Sequence, residues 1–445
     1  MRYSSNSWLL LHFLNSNYTF FGLLTFTWTA LHLSAYILAP IPTSVRFSFI
    51  RDFKNQKHSH SNNNAEPSVV KRSELISSDD DGMLIPFEKE GGRMVSKIEK
   101  FSRLPVWPVW NGVLLFAISR IFGEEFAAKL EQQGSLGGRV CPNFFSDLSQ
   151  TSPFIMLVHH SHSFAAWDPI RYLQRTFFPE GFPAHPHRGF ITVTYVLNGG
   201  FLHRDSLGVK QTYGAEKQHS GKHTQWLMTG AGILHEEMWD IQTPNLLEPS
   251  RQELYQLWLN IPSKFKADTP NVQLLGGDEE TPTVLAYKDG SLQSSTIVIA
   301  GSYANKHASI ETFSAVNILH VTISKNATWS HSLPTSYTTA ILYMRQGSAY
   351  VGSTRIPPHY TAYLGQSSDL ISVRTSTTES ADFLFLAGEP LKEPVVAQGS
   401  MVMNTDMEIY QAYRDYQSGK MGVPWDHRLS DDEWRHHLQK YPSSF

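Results

Sequence analysis

The stretch HPHRGFITVTYVLNGGFLHRDSLG, His185 to Gly208, decides the fold. Ile191 to Leu197 is β-branched and aromatic, Asn198-Gly199-Gly200 is turn chemistry, and Phe201 to Asp205 resumes an extended pattern, which together predict a β-hairpin. Just ahead of it, His185 and His187 stand two residues apart. In an extended strand that period points both imidazoles to one face. His235-Glu236-Glu237 repeats the spacing with an imidazole and a carboxylate. Gly181, Pro183 and Gly189 flank the first pair and Gly230 and Gly232 the second, so each pair sits at a strand entrance where backbones approach closely. If adjacent antiparallel strands join the pairs, three nitrogens and one oxygen converge, a set that suits Fe, Mn, Ni, Co, Cu or Zn with coordination positions left open. Spacing alone leaves structural histidines as the alternative.

Outward from this core the chain stays β-rich after Gly137. A second series of strand-sized runs covers Ala315 to Ile323, Thr338 to Met344, Ser348 to Val351, Thr361 to Leu364, Leu370 to Val373 and Ala381 to Leu386, the rhythm of a barrel or sandwich. Glu253 to Lys266 connects the two series. Asp406 to Gly419 has helical spacing, an acidic start and a terminal glycine. Upstream, Trp107 to Gln133 reads as an amphipathic helix with an aromatic entry at Trp107 and Trp110. Residues 54–93 are polar and aperiodic, as a disordered linker is, and His58 and His60 within them read as solvated.

The first 50 residues contain no Asp or Glu, and Tyr18 to Ala39 is an apolar run about as long as a bilayer-spanning helix, although Thr, Ser and His32 interrupt it. This is the composition of a targeting or membrane-anchor segment, secretory or organellar, with a plastid leader among the readings. Net charge is −3, from 37 basic and 40 acidic side chains, which leaves no electrostatic footprint for direct nucleic-acid binding. Cys141 is the single cysteine, which excludes an intramolecular disulfide framework and any cysteine-rich zinc module.

HPHRGFITVTYVLNGG with HRDSLG, TQWLMTGAGILHEEMW (Thr224 to Trp239), LYQLWLNIPSKFKADTPNVQ (Leu254 to Gln273) and the segment from Gly388 to Gly422 closely resemble the pirin family, over roughly Gly138 to Gly422. The resemblance implies an all-β protein of two cupin (jelly-roll) barrels with an N-terminal helical or targeting extension and a C-terminal helix. The corresponding organisation is 1–53 targeting or anchor, 54–93 linker, 94–136 helical lead-in, 137–275 metal-bearing cupin, and 276–445 metal-free cupin with its helix. It implies a metal, iron foremost, held by His185, His187, His235 and Glu237. In one position the pattern departs: Ala231 stands between Gly230 and Gly232 where the family commonly has Arg. The barrel around His307, His320, His331 and His359 has no HxH or HxE pair and is expected to be structural, while His159, His160 and His162 are expected to pack or hydrogen-bond without a metal role.

Some pirin relatives act as flavonol 2,3-dioxygenases. The resemblance therefore implies a phenolic or enolic small-molecule substrate with O₂ as partner, and Glu237 as general base. The rival expectation is a non-enzymatic iron protein whose redox state alters its affinity for a protein partner. No particular protein partner is implied, and membrane association rests on Tyr18 to Ala39.

Overall fold

The computed structural model describes residues 92–445, apart from 102, 106–108, 133–135, 145–147, 167, 177–178, 216–220 and 243–248. The targeting segment, nearly all of the linker with its two histidines, and Trp107 lie outside the described residues, as does the side chain of Trp110. Among the described residues no helix is long and apolar enough to cross a membrane.

In chain order the strands that concern the site are β1 (Val95–Lys100), β2 (Leu104–Pro105), β3 (Arg139–Phe144), β4 (Phe154–Phe164), β5 (Gly181–His187), β6 (Phe190–Asn198), β7 (Gly200–Asp205), β8 (Lys210–Gly214), β9 (Thr224–Met228), β10 (Ile233–Trp239), β11 (Ser250–Asn260) and β12 (Asn271–Leu275). The first cupin barrel pairs a seven-stranded sheet, β12-β9-β6-β11-β4-β3-β2, with a four-stranded sheet, β5-β10-β7-β8. The chain turns at Asn198-Gly199-Gly200, with Gly199 at φ 73°, a conformation a residue with a Cβ resists, but the expected hairpin does not form: β6 pairs with β9 and β11 in one sheet and β7 with β10 and β8 in the other, so the turn carries the chain from one sheet of the barrel to the facing one.

A second cupin barrel repeats the plan. Its seven-stranded sheet runs β1, Tyr360–Leu364, Thr339–Gly347, Ala381–Gly388, Val316–Ile323, Ser291–Ala300, Thr283–Lys288, and a four-stranded sheet faces it. The interior of this barrel is mostly apolar, built from residues such as Leu319, Val321, Trp329, Leu342, Phe383 and Phe385, with the Trp329 indole N–H donating to the buried Thr296 hydroxyl at 3.0 Å. The two seven-stranded sheets meet back to back over Leu157, Val193, Tyr255, Leu257 and Leu259 from the first barrel and Ile299, Ile318, Ile341, Tyr343 and Leu386 from the second. Cys141 is buried in this layer, and burial pushes its thiol up to about 11, so it behaves as a small apolar group.

Polar groups cross the same interface. Arg345 of the second barrel grips both carboxylate oxygens of Glu253 on β11 at 2.7 and 2.8 Å, and reaches Asp382 at 3.0 Å. His159 on β4 adds a bond to Glu253 at 2.9 Å, and Asn198 another at 3.1 Å. Burial alone would raise the Glu253 carboxyl, but Arg345 and His159 outweigh it and hold it well below the usual carboxylate range.

Each end of the described chain crosses to the other barrel. The segment read as a helical lead-in begins as β1, which pairs with Tyr360–Leu364 of the second barrel in antiparallel register. Its helix is two helices, Val109–Phe122 and Glu124–Gln132, because Gly123 takes φ 90° and interrupts the hydrogen-bond ladder. The helix Asp406–Gln417, capped by Thr405, packs through Ile409 and Ala412 against Leu234, Met401 and Met403, and Arg188 binds Asp415 at 2.7 Å. That helix therefore lies on the first barrel, so a division of the chain at residue 276 assigns neither terminus to the barrel it packs on. A further helix, Asp431–Lys440, opens with a Ser430–Glu433 capping box and buries Trp434 in the same cluster.

Replacing Arg345 with Met leaves the Glu253 carboxylate buried without its main counter-charge, and should cost about 3–5 kcal/mol in urea unfolding. The double variant Arg345→Met, Glu253→Gln should recover much of that loss.

Candidate metal centre

β5 and β10 run antiparallel with His235 opposite His185 and Ile233 opposite His187. The period-two alternation of both strands then sends all three imidazoles to the inner face of the first barrel. Ring centroids lie 4.7 Å apart for His185 and His187, 4.5 Å for His185 and His235, and 4.9 Å for His187 and His235. One nitrogen from each ring falls within 4.8 Å of the other two. The Nδ1–H of His185 donates to the Pro183 carbonyl at 2.9 Å, which fixes the tautomer and frees Nε2 as a lone pair. His187 is wedged edge-on between Phe190 and Trp258.

The donor set fits a transition ion on two counts. His235 is fully buried with neither ring nitrogen hydrogen-bonded, and Nδ1 of His187 is likewise without a partner, a costly state for groups that ordinarily find one. Burial also pulls the His185 ring down to about 4 and holds His187 and His235 well below the usual imidazole value, so all three are neutral at pH 7, as coordination requires.

Glu237, two residues beyond His235 on β10, stands apart from this group. A β-bulge shifts the β5–β10 register between His235 and Glu237. Three neutral donors hold its carboxylate: Thr194 Oγ1 at 3.0 Å, Gln256 Nε2 at 2.8 Å and Tyr213 OH at 3.4 Å. Burial pushes the Glu237 carboxyl up, while the nearby His203 ring and those three hydrogen bonds pull it down, and burial prevails. A carboxylate with a raised affinity for protons, a strand step from three imidazoles, is placed to accept a proton from a small molecule held there.

The remaining histidines divide by face. His159 points out of the barrel, to Glu253 and to the Tyr343 hydroxyl at 2.8 Å. His160 and His162 lie 3.3 Å apart beside Trp239, with His160 also against Phe182. In the second barrel His320 binds Asp382 and Tyr195, His331 binds Asn317, His359 lies 3.2 Å from Arg103, and His307 is exposed. Ala231, where the resemblance has Arg, is buried in the turn between Gly230 at φ 41° and Gly232 at φ 134° that delivers the chain into β10.

Sequence reasoning missed Thr194, Tyr213, Gln256, His203 and Asp205. A signal existed for some of them: Gln256 is a lone amide inside the apolar run LYQLWL, and His203-Arg204-Asp205 has the same i, i+2 spacing as the two metal-site pairs.

The depressed histidines set a pH dependence. Below about pH 6.5 the unfolded chain binds protons that the folded chain refuses until about pH 4 at His185, so stability rises with pH across that window. Chelator-treated protein should therefore show a urea midpoint that falls from pH 7 to pH 5, and loading with a divalent ion at pH 7 should raise the midpoint.

The family model described as Pirin matches residues 137–259, and the model of the Pirin C-terminal cupin domain matches residues 318–422. Pirin-1 of Arabidopsis thaliana is 33% identical over 313 residues, 69% of this chain and 96% of that protein. Pirin of Homo sapiens is 37% identical over 253 residues, 55% of this chain and 79% of that protein. A crystal structure of quercetin 2,3-dioxygenase from Acinetobacter baumannii superposes with a TM-score of 0.57 at 27% identity, covering 75% of this chain and 99% of that one.

Proposed function

This chain belongs to the pirin family, and from that membership we propose that its first barrel is the active site of a metal-dependent dioxygenase acting on flavonol-like enolic substrates. The observation that carries the reading is the group of three neutral imidazoles, His187 and His235 buried and His185 half-buried, with the proton-accepting Glu237 one strand step away. The likeness to a quercetin 2,3-dioxygenase over nearly all of that enzyme's length supports it.

We propose His185, His187 and His235 as the metal ligands and Fe(II) as the ion. The ion supplies Lewis acidity and redox chemistry at a site where substrate oxygen and O₂ meet. The protein's own part is to hold the three rings in place, with the Pro183 carbonyl setting the His185 tautomer, exclude water by burial, and take the hydroxyl proton of the enol at a Glu237 carboxylate oxygen. Thr194, Gln256 and Tyr213 orient that carboxylate; rotation away from them would also let it serve as a fourth ligand. Loss of the hydroxyl proton makes the enolate carbon electron-rich, which is what reaction with O₂ demands. Both oxygen atoms then enter the product, and a flavonol loses its central carbon as CO. We place the apolar run Tyr18 to Ala39 as a leader or anchor that delivers this barrel to a membrane or organelle.

Replacing His187 or His235 with Ala should drop bound metal below about a tenth of an equivalent, since two ligands seldom retain a divalent ion against buffer. Protein reconstituted anaerobically with Fe(II) should consume O₂ and release CO when offered quercetin. Glu237→Gln should keep its iron and lose at least about 10²-fold in turnover. Iron-loaded protein that leaves quercetin and related flavonols intact would overturn the assignment.

A further inference from the structure

His203 and Asp205, neither of them part of the three-imidazole group, are both fully buried on β7. β7 pairs with β10 so that His203 is directly opposite Glu237 and Asp205 opposite His235. The His203 ring centroid is 5.4 Å from that of His235, so the ring belongs to the inner wall of the site beside the three clustered imidazoles.

The Asp205 carboxylate is committed on both oxygens. Oδ1 accepts the backbone N–H of Leu207 at 2.9 Å and of Val209 at 3.0 Å, while Oδ2 lies 3.0 Å from His203 Nε2. An ionised carboxylate can only accept, so Nε2 carries the hydrogen and Nδ1 of a neutral ring is left as a lone pair. That Nδ1 is buried and finds no donor in the protein. Asp205 thus spends a fully buried charge on presenting an acceptor that the fold itself never uses, and a buried acceptor without a donor is penalised until something supplies one.

We propose that His203 is a positioning residue whose Nδ1 accepts a hydrogen bond from a hydroxyl of the small molecule bound in the first barrel, with Asp205 enforcing the accepting tautomer. The inference rests on the proposed reading of the barrel as a substrate site and narrows its ligands to molecules that bring an O–H to the wall beside Glu237. A ligand without a proton to donate gains nothing from His203.

The test uses full-length protein loaded with Co(II) and three probes: quercetin and catechol, which carry hydroxyls, and azide, which donates no hydrogen bond. Asp205→Asn keeps an oxygen for Leu207 and Val209 and turns an amide N–H toward His203, which reverses the tautomer with little change of shape. His203→Phe deletes the acceptor, and His203→Asn restores an oxygen near the position of Nδ1. With one cobalt bound in every variant, Asp205→Asn and His203→Phe should weaken the hydroxylated probes about tenfold and leave azide within about twofold, while His203→Asn recovers most of the loss. Equal losses for azide, or no loss for any probe, would overturn the role of His203. Wild type that binds catechol and azide but not quercetin would count against the flavonol assignment, and the ratio of catechol to azide losses would still decide for or against His203. Cobalt-loaded wild type that binds none of the three would overturn both.

Discussion

Strand β11 is buried along both faces, and the architecture follows from that constraint. Its even-numbered residues Leu254, Gln256 and Trp258 line the first barrel, while Glu253, Tyr255, Leu257 and Leu259 face the second. A slip of one residue in its pairing with β6 or β4 would exchange the two sets. Glu253 would then sit in the barrel interior without Arg345, and Gln256 would leave Glu237 for an apolar interface. The penalty for either is that of an unpaired buried polar group, so a single register serves both the joint between barrels and the orientation of the site carboxylate.

The two barrels share a plan and differ in what fills them. The second is filled by large apolar side chains, and polar groups there bond to one another, as Trp329 does to Thr296 and His331 to Asn317. The first keeps three imidazoles, Glu237 and His203 on its inner wall, and three of these five groups are matched by a specific device: the Pro183 carbonyl for His185, Thr194, Gln256 and Tyr213 for Glu237, Asp205 for His203. Such matching concentrates at functional sites because unmatched groups destabilise the fold.

Much of this was legible in the chain. The tight turn at Asn198-Gly199-Gly200 and the shared face of His185 and His187 follow from turn chemistry and a period of two and depend on residues close in sequence, whereas the hairpin expected there fails because β6 and β7 find their partners in different sheets. The convergence of the two i, i+2 pairs depends on β5 meeting β10, some fifty residues on, and there the family resemblance carried what spacing could not. The Glu237 surroundings were invisible for a different reason: Thr194, Tyr213 and Gln256 come from three other strands, and the bulge after His235 that turns the carboxylate toward them has no local signature. The crossing of both chain ends escaped for the same cause: the partner strand of β1 lies about 265 residues away, and the helical spacing of Asp406–Gln417 shows which of its faces is buried and not which barrel receives it.

The segment from Met401 to Trp434 lies over the outer face of β10 through Leu234, and Arg204 on β7 reaches the carbonyls of His427 and Leu429. This cover leaves the ribosome after the strands of both barrels. About 160 residues separate Trp239 from Met401, which at 5–20 residues per second is roughly 8–30 s of translation during which the strands bearing the imidazoles exist without it. A transcript truncated late, beyond the second barrel but short of residue 401, therefore yields a nascent chain with His185, His187 and His235 present and the back of their sheet bare, a surface that chaperones would meet before any metal does.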